Sequence, residues 1–94
     1  MDTGIITILA DNLTRTLFER IARERRITYK DLLEAVKSSV NPDAAEPRLD
    51  QLRAAHLIEE QEAPLKDFRT YFVTANGLSA ERELRRQQSF FATR

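Results

Sequence analysis

A chain of 94 residues, 41% of them hydrophobic, is long enough for one domain with one modest core. The absence of cysteine excludes a disulfide framework and a cysteine zinc site, and reads as a reducing, cytoplasmic setting. Formal net charge is +0, so no overall positive field draws the chain to phosphate, and the distribution of charge becomes decisive. Asp2 follows Met1, so no basic n-region opens a signal peptide, and the apolar run at residues 4–9 is too short to span a bilayer. The chain reads as soluble, with no membrane partner. Glycine and proline are too scarce for linkers or low-complexity tails, so residues 1–94 read as a single domain.

Residues 1–10 read as an N-terminal arm or as a backward extension of the first clear helix. That helix runs from about Asp11, a plausible N-cap, to Arg25, with Leu13, Leu17, Phe18, Ile21 and Ala22 on one face. Ile27 follows as an isolated apolar residue compatible with a short strand. Thr28 and Asp31 resemble a capping box, and Tyr29, Leu32, Leu33 and Val36 mark a second helix ending near residues 37–39. Residues 38–42 have the composition of a turn. A third helix carries Leu49 and Leu52 inward, with Ala45 or His56, and ends near Ala55. Its start is open: Asp43 with Glu46 could cap it, or Pro47 could occupy the first turn.

From Leu57 the period changes. Residues 57–61 and 68–73 read as two strands joined by a hairpin loop with Pro64 at its tip. Thr74 is placed to cap a last helix over 75–91, whose apolar side is marked by Leu78, Ala80, Leu84 and Phe91. The expected fold is mainly α with a two-stranded β-hairpin, in the order helix, helix, helix, hairpin, helix.

Three stretches give this order a resemblance. Residues 27–33 look like the entry to the second helix of a winged helix-turn-helix. Leu49 and Leu52 followed by Leu57-Ile58 look like a recognition helix running into the first wing strand. Tyr71, Val73, Thr74 and Gly77 look like the second wing strand breaking into the last helix. Together they span about residues 11–90, and the chain resembles the winged-helix superfamily, in the style of small MarR, ArsR and PadR type regulators. One departure is His56, where the family often has a glycine in a left-handed conformation. Histidine tolerates that conformation better than most residues.

The resemblance implies a DNA-binding transcriptional regulator, with the third helix in the major groove and the wing on the backbone or minor groove. On that reading Gln51 and Arg48 act at the groove, Lys66 and Arg69 act from the wing, and Lys30 holds a phosphate. It also implies a homodimer. Ile5, Leu9, Leu84, Phe90 and Phe91 are the residues expected at the two-fold interface, with the terminal phenylalanines alternatively folding back as core.

Charge points the other way. Residues 41–67 hold Asp43, Glu46, Asp50, Glu59, Glu60, Glu62 and Asp67 against Arg48, Arg53 and Lys66. With Leu49, Leu52 and His56 inward, the outer face of the third helix carries Asp43, Pro47, Asp50, Gln51 and Ala54, with no guanine-reading cation at its centre. The positive charge lies at residues 15–31 and on the last helix, either as a phosphate-binding patch or as a solvated face with interleaved acids. The alternative function is therefore a protein-interaction module whose acidic helix and wing dock on a basic partner.

No constellation supports an enzyme, a metal or a cofactor. His56 is the single histidine and reads as a capping residue. Glu59, Glu60 and Glu62 lie on a wing without a pocket, no serine has a nucleophile's context, and no glycine-rich phosphate loop is present.

Overall fold

A computed structural model describes the backbone of residues 3–92 and the side chains of residues 4–86. The chain forms α1 (Thr3–Ala10), α2 (Asn12–Glu24), β1 (Arg26–Thr28), α3 (Tyr29–Val36), α4 (Pro42–Ala54), β2 (Ile58–Gln61), β3 (Thr70–Val73) and α5 (Ala75–Ala92). The helices α2, α3 and α4 and the hairpin enclose one core, to which α1 adds Leu9 and α5 adds Ala80. The core is built from Leu17, Phe18 and Ile21 of α2, Leu32 of α3, Leu49 and Leu52 of α4, and Leu57 and Tyr71 of the wing.

Local capping chemistry sets most of the boundaries. Asp11 stands between α1 and α2, and its carboxylate accepts from the Thr14 N–H at 2.9 Å. Thr28 Oγ1 accepts from the Asp31 N–H at 3.2 Å and opens α3. Thr74 accepts from the Gly77 N–H at 2.9 Å, and its hydroxyl donates to the His56 carbonyl at 2.6 Å. One side chain thus starts α5 and fastens it to the end of α4.

The start of α4 differs from both expected positions. Asn41 is the cap, its side-chain oxygen accepting from the Ala44 N–H at 2.8 Å, and Pro42 is the first helical residue. Pro47 lies inside the helix. It lacks the N–H that would reach the carbonyl of Asp43, and both residues are exposed.

The end of α4 is a Schellman motif. The Leu57 N–H donates to the Leu52 carbonyl at 3.1 Å and the His56 N–H to the Arg53 carbonyl at 3.0 Å. His56 has φ 61°, the left-handed conformation expected there. His56 was expected to point inward, however, and it is exposed. The left-handed turn takes it out of the helical row that Leu49 and Leu52 follow, and Ala45 and Leu57 fill the core instead.

The hairpin is joined by a third strand, giving the antiparallel order β1-β3-β2. Ile27, the isolated apolar residue of the sequence, pairs with Tyr71. On the other side of β3, Glu60 pairs with Tyr71 and Ile58 with Val73. Arg25 closes α2 with φ 69°, and its carbonyl accepts from the Val73 N–H at 3.0 Å. That bond helps offset the roughly 1–2 kcal/mol that a left-handed turn costs a non-glycine residue. The second wing strand starts later than expected, because Lys66–Phe68 forms a 3-10 turn and Arg69 is the link between turn and strand.

Candidate nucleic-acid interface

The outer face of α4 is free of the core. Asp43, Pro47, Asp50, Gln51 and Ala54 are all exposed, as the helical period requires when Ala45, Leu49 and Leu52 are buried. Gln51 lies on the α1 side of this face. It borders an apolar groove of about 440 Å³ shared with Ile5 and Ile8 of α1, Ala54 of α4 and Ala55, which caps that helix. The opposite flank of α4, carrying Glu46 and Arg53, faces the wing.

The five cations and amides expected at DNA fall into two groups. Lys30 is exposed at the start of α3, and no carboxylate lies within ion-pairing distance of it among the described residues. Gln51 is exposed. Arg48, Lys66 and Arg69 are all engaged by carboxylates of the same molecule.

Arg48 Nε donates to Asp11 Oδ2 at 2.8 Å, and one of its terminal nitrogens donates to the Ala44 carbonyl at 2.9 Å. The guanidinium thus ties α4 to the N-cap of α2. The Arg48 hydrogen bond, then the Thr14 N–H, lower the Asp11 carboxyl from 3.8 to about 2.

Lys66 and Arg69 belong to a cluster between α3, α4 and the wing. Glu46 Oε1 receives the Lys66 ammonium and one Arg69 nitrogen, the latter at 3.2 Å. A second Arg69 nitrogen reaches Glu60 Oε1 at 3.2 Å. The Arg69 guanidinium lies 4.9 Å from the Tyr29 ring centroid, and Lys66 Nζ lies 5.0 Å from the same ring. Burial works against the Glu46 charge, but the hydrogen bonds from Lys66 and Tyr29 outweigh it and hold its carboxyl below the usual range. Burial pushes the Tyr71 phenol well above its ordinary value, and the Glu60 carboxylate beside it adds to the shift. Arg69 Nε is a buried polar atom with no hydrogen-bond partner among the described residues, so the guanidinium is held by its two terminal nitrogens and by the rings.

Sequence reasoning missed Glu46, Glu60 and Tyr29 as the members that organise this cluster. Part of it was within reach: a hairpin over 57–73 sets Glu60 across from Tyr71. Nothing in the spacing connects Glu46 to Arg69, which is 23 positions away.

The residues expected at a two-fold interface are also divided. Leu9 is 2% exposed and belongs to the chain's own core, so it is not free to meet a second copy. Ile5 and Leu84 are half-buried against that core. The side chains of Phe90 and Phe91 lie outside the described residues. Among the described residues no group of acids and histidine could hold a metal, and no helix is long and apolar enough to cross a membrane.

No known protein-family profile matches the sequence, and no curated protein resembles it at a significant level. Solved structures do. The reduced form of the transcriptional regulator YodB from B. subtilis aligns over 90% of this chain and 82% of its own, with TM-score 0.77 and 15% identity. The quinone-bound form of YodB gives a TM-score of 0.78 over 94% of this chain and 91% of that one, at 14% identity. A transcriptional regulator of the ArsR family gives 0.65 over 97% and 90%, at 21% identity. The fold is a winged helix. In its terms α3 and α4 are the helix-turn-helix pair, and β2 and β3 form the wing. At such identities the likeness is one of fold, and the chemistry of α4 and the wing has to be argued from this chain's own side chains.

Proposed function

We propose that the chain is a small regulator that binds double-stranded DNA, with α4 presented to the major groove and the wing to the backbone beside it. The observation that carries this reading is the placement of α4. Its 13 residues make a rod of about 20 Å whose outer face is uncovered and which stands next to the wing. A major groove about 12 Å wide admits such a helix. The fold shared with transcriptional regulators supports the same use.

The side chains make this a weakly electrostatic binder. Lys30 is the phosphate contact, and Gln51 offers an amide suited to the edge of adenine. Arg48, Lys66 and Arg69 are structural in the resting molecule, since each would have to leave a carboxylate to meet a phosphate. The chain acts as a homodimer in this proposal. Ile6, 48% exposed on α1, together with Ile5 and Leu84, supplies the described part of the contact, and Leu9 takes no part in it.

The test is fluorescence anisotropy of a labelled mixed-sequence duplex, at low salt and through a salt titration. Binding that weakens with salt along a shallow slope fits few phosphate contacts. Lys30→Glu should weaken binding on every sequence, whereas Gln51→Ala should blunt preference among sequences. Absence of binding at low salt would remove the proposal.

A second reading is favoured by one specific observation. Leu65 and Phe68 are 63% and 58% exposed at opposite ends of the 3-10 turn, and three-residue spacing in such a turn sets them on one side. Exposed Glu59, Glu62 and Asp67 accompany them on the wing. An apolar pair with acids around it suits a basic protein surface better than a phosphate backbone. On this reading Phe68→Ser would leave the fold intact and abolish association with that partner, and duplex binding would be absent from the start.

A further inference from the structure

We propose that Glu46 acts as an internal competitor for phosphate, holding Lys66 away from DNA and thereby limiting how tightly this protein binds. The inference rests on the DNA-binding reading above and adds a regulating residue to it.

Of the three engaged cations, Lys66 alone is built to be released. Arg48 is fixed twice, by Asp11 and by the Ala44 carbonyl, and its side chain is 27% exposed. Arg69 is 20% exposed, is held by Glu60 as well as Glu46, and lies over the Tyr29 ring. Removing Glu46 would leave Arg69 in place. Lys66 shares the Tyr29 ring with Arg69, its ammonium lying 5.0 Å from the centroid, but differs in exposure and in its ion pairs. Its side chain is 56% exposed, it projects from the wing, and Glu46 is its one ion-pair partner among the described residues. Its ammonium sits at the end of a flexible four-carbon stem and can swing once the carboxylate is gone.

A carboxylate and a phosphate oxygen offer the same ammonium the same charge-assisted hydrogen bond. Glu46 therefore occupies the position a phosphate would take, and any contact from Lys66 to DNA must first break this pair. Glu46 also stands on the flank of α4 that faces the wing, where its own charge repels an approaching backbone once Lys66 leaves it.

The experiment is the salt dependence of duplex binding for Glu46→Gln against the wild-type chain, with thermal melting as the check on folding. The slope of log affinity against log salt should steepen by about 0.9, the signature of one added phosphate contact, and affinity at low salt should rise roughly tenfold. Adding Lys66→Met to that variant should return the wild-type slope. Glu59→Gln removes an exposed wing acid that has no ion-pair partner among the described residues. It should leave the slope unchanged, which separates release of a cation from simple loss of negative charge.

Equal slopes for wild type and Glu46→Gln would overturn the proposal while leaving DNA binding standing. A gain that survives Lys66→Met would overturn it too, because the gain would then be a general effect of charge. Duplex binding by neither protein at low salt would remove both readings together. If Glu46→Gln melts early, Lys66→Met alone decides the matter. A lysine held by Glu46 contributes nothing to the wild-type slope, whereas a lysine already on phosphate would take about 0.9 of that slope with it.

Discussion

Arg48 Nε donates to Asp11 Oδ2 at 2.8 Å, and the same carboxylate oxygen accepts from the Thr14 N–H at 2.9 Å and the Thr14 hydroxyl at 2.8 Å. One oxygen therefore caps α2 and anchors α4. The arrangement has a pH signature. The Asp11 carboxyl is lowered from 3.8 to about 2 in the folded chain, so it contributes stability above its unfolded value, and that contribution is lost as pH falls between those two figures. Asp11→Asn should melt below the wild type at pH 7, and the gap should close as pH falls to about 2. Thermal melts across that range check it, and a gap that persists at the acid end would argue against the ion pair.

Removing Arg69 should be costly, because the Glu60 side chain is 6% exposed and Arg53 at 3.7 Å would be its one remaining ion-pair partner among the described residues. Breaking one side of a buried pair typically costs about 3–5 kcal/mol, and Arg53 places Arg69→Met near the lower figure. The double variant Arg69→Met with Glu60→Gln should recover a large part of the loss. Urea unfolding of the four proteins closes the cycle, and simple additivity of the two changes would show that the groups do not interact.

Gly77 is required by space. A Cβ there would overlap the Leu57 carbonyl oxygen and lie 2.7 Å from Val73 Cγ2, where α5 crosses the start of the wing. Backbone cannot yield as a flexible side-chain tip can. Gly77→Ala should cost at least the upper part of the roughly 1–3 kcal/mol typical of overpacking, despite alanine's better helix propensity. A denaturant midpoint at or above the wild type would contradict the close approach.

His56 offers the opposite case. At φ 61° it bears a left-handed conformation that glycine adopts without steric cost. His56→Gly should stabilise the chain by about 0.5–1 kcal/mol, and His56→Val should destabilise it by about 1–2 kcal/mol. The paired melts measure both signs, and the Schellman hydrogen bonds at Arg53 and Leu52 should persist in the glycine variant.

What the sequence determined by itself is the local part of this protein. Asp11, Thr28 and Thr74 announced their helices because an N-cap acts on an N–H two or three residues away, and the left-handed turn at His56 follows from where α4 must stop and the wing begin. The recurrence of Leu17, Phe18, Ile21, Leu32, Leu49 and Leu52 specified one core because burial follows helical period. The start of α4 stayed open between Asp43 and Pro47, and the folded chain uses neither, capping the helix with Asn41. Tertiary structure alone decided the electrostatics. Arg48 and Asp11 are 37 positions apart, and Arg69 and Glu46 are 23 apart. Local charge counting saw acids and bases on the third helix and wing without seeing which cancel. An ion pair is fixed by distance in space, and the spaces between α2, α4 and the wing exist only once the core has closed.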